Sequence, residues 1–215
     1  MTKHKPSSMI SRRFRGLLPI VIDIETSGLN PQQHAILELA AVTLAFNKAG
    51  KLECQNTYSY QVEPFIGALL DPEALVLTKI DPFYPLRFAI PERQALHRLF
   101  RIIQPLLQQY HCHRAILVGH NAWFDLSFII SAYQRSHLPH LPMHKFSTLD
   151  TATLAAAMFG ETVLARALKV ARIPFNTNLA HSAIYDAEKT AELFCLIINS
   201  MPYRMHYKPH PVSYT

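Results

Sequence analysis

Only three cysteines, Cys54, Cys112 and Cys195, occur in the 215 residues. Their odd number and wide spacing argue against a disulfide framework and fit a reducing, cytoplasmic setting. No apolar run approaches the ~18 residues that cross a bilayer, so a membrane is not among the expected partners. The basic opening MTKHKPSSMISRRFRG is followed only by LLPIVI before two acids interrupt it, which argues against a secretory leader. Internal repeats, low-complexity segments and signs of a second domain are also missing. With 49% hydrophobic and 17% charged residues, the chain can bury one sizeable core.

What is present begins with a formal charge of +6. Arg12, Arg13 and Arg15, preceded by Lys3 and Lys5, form its clearest block. Such a block suits either a polyanionic partner or a solubilising tail. The expected organisation is a basic arm at 1–16, one domain at 17–200 and a proline-containing tail at 201–215.

Strand signals fall in IVIDIE, AILELAAVTLAF and NTYSYQVEPF, joined by the turn regions TSGLNPQQ and NKAG. Such short connections require an antiparallel meander, because a parallel crossover needs a dozen or more residues. Asp71-Pro72-Glu73 has the form of an N-cap, a first-turn proline and a first-turn acid. A longer helix opens at Pro91-Glu92, and Pro105 is expected to kink or end it. AILVG then reads as a strand, AWFDLSFIISAYQ as a helix capped by Asn121, and KFSTLD as a fifth strand. The remainder is helical, with Ala183, Ala187, Ala191, Phe194 and Ile198 as the apolar stripe of the last helix. The fold class is therefore α/β: a mixed five-stranded sheet, three antiparallel strands and then two in β-α-β, flanked by helices.

The chemistry starts in PIVIDIETSG, where Asp23 and Glu25 sit in an otherwise apolar strand. Residues two apart share a strand face, and two buried acids on one face require a compensating charge. Asp125 lies in the first turn of the helix after AILVG, and His181 and Asp186 lie at the start of the last helix. Taken singly, Asp125, Asp186 and His181 read as a cap or as solvated groups. Together, four acids from three elements select hard divalent cations such as Mg²⁺ or Mn²⁺ rather than zinc. Two such ions ~3.5–4 Å apart clamp a phosphodiester for in-line attack by water. Imidazole, which titrates near pH 6.5, suits a general base.

The three motifs VIDIETSGL, VGHNAWFDLSF and HSAIYD resemble those of the DEDDh-type 3′→5′ exonucleases, whose fold is the ribonuclease H-like superfold. The resemblance runs from about Phe14 to Asn199. Within that family, FRGLLP, VEPFIGALLDPEAL and AHSAIYDAEKTAELF are similar to the ribonuclease T group. It implies that Asp23, Glu25, Asp125 and Asp186 hold the metal, with His181 as general base. It also implies a homodimer in which a basic surface of one subunit feeds RNA to the other's site. The substrates implied are unpaired 3′ ends of transfer RNA and other stable RNA precursors, and single-stranded DNA. Proofreading or repair of DNA, and non-catalytic nucleic-acid binding, are the alternatives.

The resemblance also proposes contacts. Phe124 and Phe146 match stacking phenylalanines of the family, although core packing is the simpler role for either. Leu29 and Leu77 stand where the family commonly has phenylalanine; leucine keeps apolar contact without a π-face, so the expected loss falls short of the ~1–3 kcal/mol scale of a base stack. Glu73 matches a residue near the terminal base, though it also suits a helix N-terminus. Arg13, Arg15, Arg114 and Lys145 are the expected phosphate contacts. The histidine-rich loop with His137, His140 and His144 lacks zinc-ligand spacing and reads as a solvated connection.

Overall fold

A computed structural model describes residues 8–201. In chain order its elements are α1 (Met9–Arg13), β1 (Leu17–Thr26), β2 (Ile36–Phe46), β3 (Leu52–Glu63) and α2 (Pro72–Thr78). Then come β4 (Ile90–Pro91), α3 (Glu92–Gln109), β5 (Arg114–Gly119) and α4 (Trp123–Arg135). The chain continues with β6 (Met143–Asp150), α5 (Thr151–Phe159), α6 (Leu164–Val170) and α7 (Ala183–Ser200).

The strands form one mixed sheet in the order β4-β3-β2-β1-β5-β6. β1, β2 and β3 are the expected antiparallel meander, and β5 and β6 run parallel to β1. The sheet has six strands among the described residues instead of the expected five. The addition, β4, is two residues long and pairs with β3 at Val62 and Glu63. Its Pro91 donates no ladder hydrogen bond, which restricts it to an edge. A run that short leaves no period-2 signal.

Alternation along β1 divides the core. Ile20, Ile22 and Ile24 face a layer built from Leu96, Leu99 and Ile103 of α3 and Phe128 and Ile129 of α4. Val21 faces the other way, onto Ala183, Ala187, Ala191 and Phe194 of α7. Three alanines in that stripe let α7 lie close against the sheet. Asp23 and Glu25, odd-numbered like Val21, therefore belong to the α7 face.

Local expectations were corrected at two points. Pro105 does not end α3, which continues to Gln109. Asn121 does not cap α4: it sits at φ 64°, Ala122 is the N-cap residue, and no side-chain cap bond forms. Instead Asp150 Oδ1 accepts the N–H groups of Asn121 (2.8 Å) and Ala122 (3.3 Å). Asp71 behaves as expected, its side chain accepting the Glu73 N–H.

Of the basic arm, residues 1–7 lie outside the described part, as do residues 202–215 of the tail. From Ser8 onward the arm is folded: its hydroxyl caps α1 through Ser11 N–H, and Ile10 is buried. Cys54 and Cys195, far apart in sequence, are brought close enough for their thiols to interact. Among the described residues no helix is long and apolar enough to cross a membrane.

Candidate active site

The acids gather where β1 outruns its parallel neighbour. β1 pairs with β5 only from Leu17 to Val21, so the backbone beyond is free on that side. Asp125 fills the gap, its Oδ1 accepting the Ile24 N–H at 3.2 Å, between the two acids of the strand. Gly119, the last residue of β5, makes this approach possible. A Cβ there would lie 3.2 Å from Ala122 and 3.3 Å from Asp125 Oδ2.

From the opposite face α7 brings Asp186, whose Oδ2 accepts the His181 N–H at 2.9 Å. One donor atom from each of Glu25, His181 and Asp186 lies within 4.8 Å of the others. Asp186 Oδ1 is buried without a hydrogen-bond partner. An orphaned carboxylate oxygen among other carboxylates fits an oxygen-seeking divalent cation.

Electrostatics bind these groups into one cluster. Asp23 is raised well above the ordinary carboxylate value, first by burial and then by Asp125, Glu25, Asp186 and Glu38. Burial and the charges of Asp186, Glu38 and Asp125 push Glu25 up to about 8. Burial likewise takes Asp125 to about 8, against backbone hydrogen bonds that favour its charged form. Asp186 is raised by burial, opposed by the His181 N–H and by the charges of His181 and His120. Carboxyls held this far above their ordinary range lack positive charge, and metal ligation supplies it.

The expected base-contact residues divide. Phe146 is 89% exposed, and Lys145 beside it is exposed too. They protrude because β6 is irregular: Ala115 pairs with Met143 and Leu117 with Thr148, leaving four residues to bulge. His144 Nδ1 accepts the N–H groups of Phe146 and Ser147, which gives one histidine of the suspected loop a structural use. Phe124 is half-buried against Phe128. Leu29 and Leu77 are exposed apolar side chains, and Glu73 is exposed in the first turn of α2.

Arg15 and Arg114 sit elsewhere, where β1 and β5 begin. Six residues of strand, about 20 Å at ~3.3 Å per residue, separate Leu17 from Asp23. Arg13, at the end of α1, belongs to that distant end as well. It lines a hollow with Arg12, Phe46, Lys51 and Ile198.

Three residues beyond those expected border the acids or the loop before α4. Glu38 lies directly opposite Glu25 in the β1–β2 register. It carried the same signal as Asp23, an acid inside an apolar strand. Asp150 caps α5 as well as the loop before α4. Burial works to raise its carboxyl, yet hydrogen bonds from Thr153, Ala122 and Asn121 hold it below the ordinary value. Trp123, the sole tryptophan, is 69% exposed and packs edge-on against Phe124.

Comparison with known proteins gives consistent results. An exonuclease family model matches residues 20–194. The chain is 52% identical over 198 residues to ribonuclease T of Hahella chejuensis, covering 92% of this chain and 91% of that one. To ribonuclease T of Baumannia cicadellinicola it is 49% identical over 199 residues, covering 93% and 91%. Among solved structures, the nuclease domain of 3′hExo, a DEDDh family member bound to rAMP, superposes with a TM-score of 0.66 at 19% identity. That match covers 84% of this chain and 90% of that domain. Escherichia coli exonuclease I in complex with a dT13 oligonucleotide gives a TM-score of 0.64 at 17% identity, covering 84% of this chain. The chain spans only 41% of that longer protein.

Proposed function

Because the chain belongs to the exonuclease family, and is a hydrolytic 3′→5′ exonuclease acting on nucleic acid, we propose that it trims unpaired 3′ ends of transfer RNA and other stable RNA precursors. Single-stranded DNA is a second substrate of the same site. The observation that carries the reading is the electrostatic cluster of Asp23, Glu25, Asp125 and Asp186 beside His181.

In this reading those four carboxylates hold Mg²⁺, or Mn²⁺ in its place, as a pair of ions. When bound, the ions supply positive charge at the attacking and departing oxygens of a phosphodiester. His181 removes the proton from the attacking water. Its backbone N–H, donated to Asp186, ties the loop that carries it to the acid in the first turn of α7. Water attack at the terminal phosphorus cleaves the bond to the 3′ oxygen of the preceding nucleotide and releases a 5′-mononucleotide.

Phe124, Phe146, Leu29 and Leu77 receive the last bases, with Glu73 near the terminal one. Exposure of Phe146, Leu29 and Leu77 supports this part. Lys145 meets a nearby phosphate. Arg13, Arg15 and Arg114 lie at the end of β1 and β5 away from the acids. A homodimer in which they guide RNA into the partner's site accounts for that separation. The reading includes a cytoplasmic location, where Cys54, Cys112 and Cys195 remain thiols.

Digestion of an end-labelled RNA with a short 3′ overhang, with and without Mg²⁺, tests direction, metal need and duplex tolerance together. Stepwise shortening from the 3′ end only when Mg²⁺ is present is expected. Matched RNA and DNA oligonucleotides give the second arm. Metal-independent cleavage, or a strong DNA preference in every context, would overturn the assignment.

A further inference from the structure

We propose that Glu38 is a positioning residue for hydrolysis: it caps α7 from the strand β2 beneath it and so holds Asp186 and His181 against Glu25. This rests on the exonuclease reading of the acidic cluster. The first N–H groups of any helix lack partners within it, and a capping side chain normally satisfies one of them. Ser182 occupies the N-cap position of α7, yet its side chain makes no cap hydrogen bond. Glu38 supplies the bond instead, its Oε2 accepting the Ala183 N–H at 3.1 Å. The start of α7 is thus held by two carboxylates. Asp186 binds the His181 N–H, and Glu38 binds Ala183 from β2.

Glu38 is itself fixed. Gln61 on β3 donates its Nε2 to Glu38 Oε1 at 2.7 Å. The amide cannot turn over, because Gln61 Oε1 already accepts from Arg87 Nε (3.1 Å) and Nη2 (2.9 Å). Arg87 is anchored in turn to the carbonyls of Leu37 (2.7 Å) and Pro82 (3.0 Å). A guanidinium has only donors, so it forces the carboxamide to present its NH₂ to Glu38. Each step dictates the next, from Arg87 through Gln61 and Glu38 to the helix that carries Asp186.

The arrangement has an electrostatic cost. Glu38 stands directly opposite Glu25, and like charges facing one another across a ladder are destabilising. A side-chain cap from Ser182 would satisfy the same helix end without that repulsion. What Glu38 adds is a link between strand and helix. A local cap holds a helix end to itself, whereas Glu38 ties α7 to the strand beside Glu25. Only a carboxylate accepts both N–H donors there, since a glutamine has one oxygen and an NH₂ that would face a donor.

Glu38→Ala, Glu38→Gln and Gln61→Leu test this, beside wild type and Asp23→Asn. The readouts are kcat and KM on a single-stranded oligonucleotide, thermal stability, and Mn²⁺ affinity by calorimetry. Glu38→Ala is expected to lower kcat about 10–100-fold and weaken Mn²⁺ binding about tenfold, the range seen when groups orienting metal ligands are removed. KM should stay within about twofold, because Glu38 touches neither base nor phosphate in this proposal. Glu38→Gln, retaining one acceptor, should fall in between.

A folded Glu38→Ala protein with kcat and Mn²⁺ affinity at the wild-type level overturns the proposal. So does a rise in KM at constant kcat. If Glu38→Ala does not fold, wild-type behaviour of Glu38→Gln and Gln61→Leu overturns it equally. Should Asp23→Asn trim as fast as wild type, the functional reading fails instead. Mn²⁺ affinity of Glu38→Ala would still decide the positioning role.

Discussion

Glu25 and Glu38 face each other on adjoining antiparallel strands, two carboxylates in register on the side of the sheet that α7 covers. Neither has a lysine or arginine salt-bridge partner among the described residues, and Glu38 is spent on amide donors. The fold therefore concentrates negative charge around Asp23 and Glu25 that no lysine or arginine salt bridge offsets among the described residues. Cations from solution are the natural remedy, and this shapes the response of the protein to pH and metal.

Without divalent cations the protein should become less stable as pH rises. Glu25 is raised from an ordinary 4.5 to about 8, and Asp125 from 3.8 to about 8. The folded chain binds these protons more tightly than the unfolded chain does. The stabilisation is complete below the ordinary values and is lost as pH climbs through about 8. Thermal melts in chelator should show Tm falling by several degrees from about pH 5 to about pH 8.5, and Mg²⁺ should flatten the slope. A Tm independent of pH in chelator would contradict the pKa assignments.

Asp23→Asn removes one charge from the cluster with almost no change in shape. Trimming should drop to background. Tm in chelator should rise, by about 2–4 °C for each kcal/mol of repulsion relieved in a chain of this size. His181→Ala, by contrast, should cost about 10²–10⁴-fold in kcat, the usual scale for a general base, with Tm nearly unchanged because His181 is exposed. A His181→Ala enzyme at full speed would remove the imidazole from the mechanism.

Phe146 and Phe124 should separate by their burial. Phe146→Ala, at an exposed position, should leave Tm in place and weaken oligonucleotide binding by about 1–3 kcal/mol, the scale of one base stack. Phe124→Ala should also lose stability, since its ring packs on Phe128 at a centroid distance of 5.0 Å. Leu77→Phe should tighten binding by restoring a π-face. Fluorescence anisotropy with a labelled oligonucleotide measures all three variants, and unchanged affinity in Phe146→Ala would refute its stacking role.

Arg15→Ala and Arg114→Ala should weaken binding to every sequence alike. Each lost phosphate contact should reduce the salt dependence of log K by about 0.7 on single strands. Salt titrations measure this, and sedimentation of the wild type checks for the proposed dimer. A monomer with full affinity would exclude guidance across subunits.

Loss of Arg135 should be felt far from the site. Glu92 is 8% exposed and pairs with Arg135 at 2.6 Å, while the guanidinium also covers the Phe65 ring. Arg135→Ala leaves a buried carboxylate alone, at a cost of about 3–5 kcal/mol. A chemical denaturation midpoint close to wild type would show that Glu92 finds water or a proton at little cost.

Much of this was legible in the sequence because its cause is local. Alternation along IVIDIE sets Asp23 and Glu25 on one face, short turns make the first three strands antiparallel, and Asp71-Pro72 starts a helix. These follow from side-chain period and backbone chemistry within a few residues. Other features need partners distant in the chain. Asp125 meets Ile24 because β5 stops short of the end of β1. Asp150, not the adjacent Asn121, serves the loop before α4. Cys195 of α7 meets Cys54 of β3. Glu38 reaches Ala183 across 145 residues. No local rule anticipates such pairings, because which donor meets which acceptor depends on how strands register and where helices land on the sheet. The chain by itself determined which chemical groups were available and on which face of each element they lie; packing alone decided which of them meet.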